Sequence, residues 1–224
     1  MKRSKTLSRR QLVRGTLAAL PLLAIPPLVW GKKSGPSCLL TPSQGEGPFY
    51  PLRFTPHGMD LTRKQPGGPK AQGRQIVVRG TVTDARCRPL PGAEVEIWQA
   101  DSQGRYNHPH DPRNLGLDSN FLYWGRVLTD AQGRYAFRTI APAAYPASSS
   151  WMRPPHIHFK VRQKGAGTLV TQMYFPGNAL NASDYLLGGI EPSLRQRLIA
   201  KLAGGSRGAP TPDIPRYLFD ISMT

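Results

Sequence analysis

From Ile76 onward the chain is cut into short apolar runs by turn-forming segments, and this punctuation limits the fold more than any other feature. "QIVVRGTV" is rich in β-branched residues and reads as a strand, and "DARCRPLPG" reads as a turn. "AEVEIWQA" alternates, setting Ala93, Val95 and Ile97 on one face and Glu94, Glu96 and Trp98 on the other. After the turn "DSQG", the runs "WGRVLT" and "RYAFRTI" flank "DAQG" and read as a hairpin. "HIHFKVRQ" and "TLVTQMYF", separated by "KGAG", add two strands, and "RYLFDISM" is a candidate last one. Short strands at this spacing predict an all-β chain with a β-sandwich core and long loops. The exception is one C-terminal helix in "EPSLRQRLIAKLAGG", with Leu194, Leu198, Ile199 and Leu202 on one face and Gly204 at its end.

Composition narrows the function. The 23 glycines and 23 prolines show no repeat period, which excludes collagen and suits a turn-rich fold. Net charge is +17. Lys2, Arg3, Lys5, Arg9, Arg10 and Arg14 contribute six of those charges, and the first 30 residues contain no acid. The other basic residues are scattered, with no basic helix, zinc-finger spacing or aromatic RNA-binding signature. This argues against a nucleic-acid partner and for an anionic small substrate.

The first 37 residues read as an export signal and linker, followed by a single catalytic domain over 38–224. Ser8-Arg9-Arg10-Gln11-Leu12-Val13 resembles a twin-arginine signal ahead of the apolar run Leu17 to Trp30. That run has 14 residues and three prolines, too short and broken for a stable span in the mature protein. Cleavage is expected between Gly31 and Ser37, and the protein is expected in the periplasm. An oxidising compartment permits a disulfide between Cys38 and Cys87, the only cysteines.

The chain has five histidines, and "MRPPHIHFKV" holds two of them one residue apart. On a strand, His156 and His158 project from the same face while Ile157 and Phe159 point to the other. The pair suits either a metal or a solvated face, and His-x-His alone does not decide. His108, His110 and His57 are the remaining histidines, so a copper or zinc site built from His156, His158 and His108 or His110 stays open. Tyrosine is the other candidate ligand, because a phenolate is a hard anionic donor suited to Fe(III). Tyr145 precedes the pair in "APAAYPASSSW". Tyr106 ends "DSQGRY", and its echo Tyr135 ends "DAQGRY". Tyr135 is spaced with Phe137 as core, whereas Tyr106 runs into a polar loop, where functional groups concentrate.

Taken together, "TPSQGEGPFYP", "PLPGAEVEIWQADSQGRYNH", "GRVLTDAQGRYAFRTIAPAAYP", "WMRPPHIHFKV" and "TQMYFPG" resemble the intradiol ring-cleavage dioxygenases. The β-subunit pattern of the protocatechuate 3,4-dioxygenases is the most similar. The resemblance runs from about Thr41 to the C-terminus. It implies a non-haem Fe(III) held by Tyr106, Tyr145, His156 and His158, with Tyr145 displaced when a catechol binds. It also implies that Arg153 stabilises negative charge developing on the substrate, and that Gly47, Pro48, Trp98 and Gln172 lie around the substrate. The reaction implied is cleavage of a catechol-type ring by O2 to a cis,cis-muconic acid, with protocatechuate as the first candidate and hydroxyquinol or a lignin-derived catechol behind it.

Two departures stand out. The stretch from Tyr145 to His156 is two residues shorter than the β-subunit pattern, and Ala147 replaces its tryptophan. The long helical N-terminal domain of the catechol 1,2-dioxygenases is also missing. A non-catalytic exported β-sandwich binding module is the alternative, and whether the chain acts alone, as a homo-oligomer or beside a related subunit stays open.

Overall fold

The computed structural model describes residues 37–52, 58–203 and 214–224. The expected export signal, His57 and Gly204 lie outside the described residues. In chain order the strands are β1 (Gln75–Asp84), β2 (Glu94–Trp98), β3 (Trp124–Leu128), β4 (Arg134–Ile140), β5 (Tyr145–Ser148), β6 (Trp151–Arg153), β7 (His156–Gln163) and β8 (Gly167–Tyr174). Two single-turn helices follow, α1 (Tyr185–Gly188) and α2 (Pro192–Arg195), then β9 (Lys201–Ala203), β10 (Arg216–Leu218) and β11 (Ile221–Met223).

The strands form two main sheets. In one, β1 pairs antiparallel with β4 along one edge and parallel with β10 and β11 in succession along the other, while β9 extends the sheet beyond β10. The other runs β3-β2-β7-β8, all antiparallel. Period-2 alternation turns Val78, Phe137 and Ile221 of the first sheet toward Val95, Ile97, Ile157, Phe159 and Val161 of the second in one buried cluster. Phe159 closes the contact, with its ring 5.9 Å from Tyr135 and 5.0 Å from Phe219. The result is the predicted all-β sandwich. Gly80 is required where β10 gives way to β11, since a Cβ there would lie 1.9 Å from the Phe219 carbonyl oxygen. Among the described residues no helix is long and apolar enough to cross a membrane.

Two expectations are corrected. "WGRVLT" and "RYAFRTI" do not form a hairpin: β3 pairs with β2 and β4 with β1, so "DAQG" carries the chain between sheets. Asp130 closes that turn by accepting from the backbone N–H groups of Gln132 and Arg134, and the Gly133 carbonyl already accepts from Val82 N–H on β1. Alternation specifies a face and leaves the pairing partner open. The C-terminal helix is also shorter than its periodicity predicts. It runs as α over Pro192–Arg195 and as 3₁₀ over Gln196–Leu198, then yields to sheet pairing. There Ile199 bridges Tyr174, Ala200 N–H donates to the Tyr174 carbonyl, and β9 adds to β10. Leu198 is buried with Tyr174 and Leu187, whereas Leu202 is exposed. Edge pairing satisfies backbone groups that a short isolated helix leaves open.

Cys38 and Cys87 form the disulfide, with Cα atoms 5.2 Å apart and a sequence separation of 49. It fastens the N-terminal arm to the turn after β1. The arm then docks on β11 through Thr41 N–H to the Ser222 carbonyl, and on β8 through Gln44 N–H to the Val170 carbonyl. In the chain-entropy account a loop of this size contributes about 4 kcal/mol. A Cys38→Ser variant, or reduction of the native protein, is therefore expected to lower unfolding stability by about 2–4 kcal/mol in denaturant titrations. No difference between oxidised and reduced protein would show that the arm is held by its backbone contacts alone.

Candidate active site

The site is built on the face of the second sheet that points away from the core. Cross-strand register sets Trp124, Trp98, His158 and Gln172 side by side, and pairs His156 with Tyr174. His156 and His158 thus share a face, as i and i+2 must, with ring centroids 5.0 Å apart.

The tyrosines arrive from loops. In "DSQGRY", Asp101 accepts from the backbone N–H groups of Gln103 and Arg105, as Asp130 does in "DAQGRY". The two turns are alike and their tyrosines part ways. Tyr135 enters the core and donates to the Phe219 carbonyl, while Tyr106 leaves its turn toward the histidines. Gly104 has φ +87° and lies against Ala144 and Tyr145, where a Cβ would come within 2.7 Å of the Ala144 carbonyl oxygen. Glycine there lets the two tyrosine-bearing segments touch. Tyr145 begins β5, opposite Arg153 on β6.

The four side chains converge. Tyr106 Oη is 3.3 Å from His156 Nε2, the Tyr106 and Tyr145 rings are 5.6 Å apart, Tyr145 lies 5.6 Å from His156, and Tyr106 lies 6.2 Å from His158. All four are buried. His156 Nδ1 lies 2.7 Å from the Pro154 carbonyl, which assigns the proton to Nδ1 and leaves the Nε2 lone pair facing the cluster. His158 Nδ1 is buried without a hydrogen-bond partner among the described residues. Burial, followed by the charge of Arg153, lowers the His156 pKa to about 3. Burial, then His156 and Arg153, holds His158 well below its ordinary value. Burial raises both phenols, with Tyr145 adding to the effect on Tyr106.

A neutral imidazole with a free lone pair can ligate a metal. Buried phenols ionise only against a strong Lewis acid. The donor set therefore fits a hard, high-valent cation. Among the described residues no cluster of three or more His, Cys, Asp or Glu is arranged to hold a metal, so a metal here depends on the tyrosines. His108, the third histidine of the copper or zinc reading, makes its ring contacts with Phe49 and His110.

A cavity of about 380 Å³ opens onto this cluster. Tyr145, His158 and Arg153 line it, as do Gly47, Pro48 and Gln172. Trp98 does not line it, contrary to expectation. Its ring lies behind His158 at 4.8 Å, nearly parallel, and it orients the imidazole by stacking.

The residues that hold Arg153 and the arm in place escaped the sequence reading. Arg153 is buried and donates to Asp184 through Nε at 2.9 Å, and to Gln172 and Tyr174 through Nη2 at 2.9 and 3.1 Å. Asp184 also caps α1 by accepting from Leu187 N–H at 2.8 Å. The Ser-Asp step before "YLLGG" is the cap signal that marks it. At the other end of the same sheet face, buried Glu96 accepts from Tyr50 Oη at 2.7 Å and pairs with Arg162 at 2.8 Å, while Lys160 pairs with Glu46. These contacts clamp the arm on both sides of Gly47–Phe49, where it borders the cavity.

The Dioxygenase family model matches residues 45–224. The chain is 45% identical over 148 residues to a protocatechuate 3,4-dioxygenase beta chain from Burkholderia cepacia, covering 64% of this chain and 63% of that one. It is 35% identical over 201 residues to catechol 1,2-dioxygenase 1 from Acinetobacter lwoffii, covering 82% and 61%. It therefore spans about three fifths of the length of these relatives. Among solved structures it is similar to the dioxygenase domain of a dioxygenase–carbohydrate-binding fusion from Streptomyces sp. SirexAA-E. That likeness has a TM-score of 0.60 and 28% identity, covering 82% of this chain and 97% of that domain. With the sandwich, the strand-borne histidines and the loop-borne tyrosines in place, the chain belongs to the intradiol ring-cleavage dioxygenase family.

Proposed function

We propose that the chain is a non-haem Fe(III) enzyme that uses O2 to cleave a catechol-type ring between its two hydroxyl-bearing carbons, giving a cis,cis-muconic acid. The observation that carries this reading is the convergence of Tyr106, Tyr145, His156 and His158 at the inner end of one cavity. These four would hold the metal. Fe(III) bound there would supply Lewis acidity, drawing electron density from a chelated catecholate so that O2 can attack the ring.

The protein's own groups divide the remaining work. Tyr145 and His158 line the cavity and Tyr106 and His156 do not, so Tyr145 is the tyrosine of the four that an incoming catechol would meet. Its phenolic oxygen, when ionised, would be a base beside the substrate and would accept one hydroxyl proton, since burial raises its pKa. Arg153 is held by Asp184, Gln172 and Tyr174, and Nη1 is its nitrogen nearest His156, at 3.4 Å. A guanidinium fixed in this way stabilises charge developing on the substrate without reorganising. Apolar walls exclude water from the reacting ring.

Sequence likeness to the Burkholderia cepacia beta chain makes protocatechuate the first ring to assay. The leader motif and the disulfide together support export by the twin-arginine route to the periplasm, and fractionation of cells producing the full chain tests it. The reaction is tested by the visible spectrum of the iron-loaded protein. A broad tyrosinate-to-Fe(III) charge-transfer band that shifts when a catechol is added is the expected result. A colourless protein that retains no iron would overturn the enzyme reading and leave a sandwich binding module.

A further inference from the structure

Among the described residues two arginines line the cavity, and each is paired with a buried aspartate. Arg113 is anchored on buried Asp111 through Nε at 2.6 Å and through Nη2, while its Nη1 donates to the Gly104 carbonyl. Its guanidinium lies 4.5 Å over the Tyr145 ring. Arg153 is anchored on buried Asp184, and its Nη2 is shared among Gln172, Tyr174 and Asp184. Arg153 keeps only Nη1, turned toward His156 and the reacting end of the substrate, and all three Arg113 nitrogens are engaged, so neither guanidinium offers a two-pronged donor edge to a second carboxylate. The rest of the wall is mainly apolar, formed by Pro48, Phe49, Pro112, Ala147, Trp151 and Leu186. A carboxylate on the substrate ring would be desolvated there without a partner, whereas a methyl or other apolar substituent would gain contact area.

We infer that the site selects catechols whose ring substituent is uncharged over carboxylated ones such as protocatechuate, and that Leu186 is a determinant of that choice. The inference rests on the proposed ring cleavage at this same site. Leu186 lies on α1 at the cavity wall and is 39% exposed, so a longer polar side chain fits without entering the core.

The test compares 4-methylcatechol with protocatechuate on the iron-loaded wild-type and Leu186→Lys proteins. In the wild type, kcat/KM for 4-methylcatechol is expected to exceed that for protocatechuate by at least about tenfold. The lysine ammonium gives the carboxylate an unshared partner, so Leu186→Lys is expected to shift the ratio toward protocatechuate by about tenfold or more. Equal or better cleavage of protocatechuate by the wild type, or an unchanged ratio in the variant, would overturn the inference and leave the ring-cleavage reading intact. If neither ring is cleaved, the ring-cleavage reading fails. Dissociation constants of both compounds, measured by equilibrium dialysis on the same two proteins, then decide the inference. The same order supports it, and equal or inverted affinities sink it.

Discussion

A Tyr106→Phe protein is expected to fold as the wild type does, to lose most of its charge-transfer absorption, and to fall in kcat/KM by more than about a hundredfold. That figure is the loss usual for a partner one shell outside a metal, and so a floor for a ligand. The substitution removes one oxygen and keeps the ring, so the stacking on Phe49 at 4.6 Å and the edge contact with Tyr145 at 5.6 Å survive. His158→Ala should lose iron equally, but with a fall in stability, because it leaves Trp98 without its stacking partner. Tyr135→Phe supplies the control. It sits in the echo of the same motif, far along the chain in the core, and loses only a hydrogen bond to the Phe219 carbonyl. It should cost about 1 kcal/mol of stability and leave the iron spectrum and turnover unchanged. Iron content, spectrum and turnover measured on all three proteins separate the cases. Wild-type turnover in Tyr106→Phe would show that the ligand assignment is wrong.

Replacing Asp184 by alanine is expected to destabilise the protein by about 3–5 kcal/mol, because Arg153 would keep its charge in a buried position with its ion-pair partner gone. For a chain of this size that lowers Tm by roughly 10 °C. The α1 cap is lost in the same step, which adds to the effect. Turnover should fall as well, since Asp184 is what aims the guanidinium into the cavity. The double variant Arg153→Leu/Asp184→Leu removes both charges and is expected to recover much of the stability while remaining inactive. Thermal unfolding and turnover of the single and double variants give the two readouts. A single variant that unfolds within about 1 kcal/mol of the wild type would mean that the pair is solvated and Arg153 is not positioned by it.

Much of this molecule was legible in the order of its residues, for reasons that are local. Alternation in "AEVEIWQA" places Val95 and Ile97 in the core and Glu96 and Trp98 on the opposite face, because the strand period is two wherever the strand pairs. The same period puts His156 beside His158. The choice of Tyr106 over Tyr135 was also local, since one runs into a polar loop and the other alternates with Phe137 into a strand. The disulfide joins the two cysteines of the chain, so no choice among pairings had to be made.

What was not legible concerns partners. "WGRVLT" and "RYAFRTI" look like the two arms of a hairpin, and their alternation is equally satisfied in separate sheets. Only the packing of β2 against β3 and of β1 against β4 decides between these arrangements. Leu194, Leu198, Ile199 and Leu202 have helical spacing, yet the edge beside β10 and the Tyr174 carbonyl, which accepts from Ala200 N–H, take Ile199–Ala203 into the sheet. Trp98 could have faced a ligand or braced one, and register with His158 makes it the brace. Asp184 is 31 residues from Arg153, and Tyr50 is 46 from Glu96, distances at which no periodicity speaks. Residue types and their spacing determined which side chains share a face and which chemistry they can offer. The tertiary structure alone decided which faces meet, that Arg113 and Arg153 are already matched by carboxylates, and that the wall a substituent would touch is apolar. Those properties depend on long-range contacts, and a single chain order is compatible with many sets of them until the core closes.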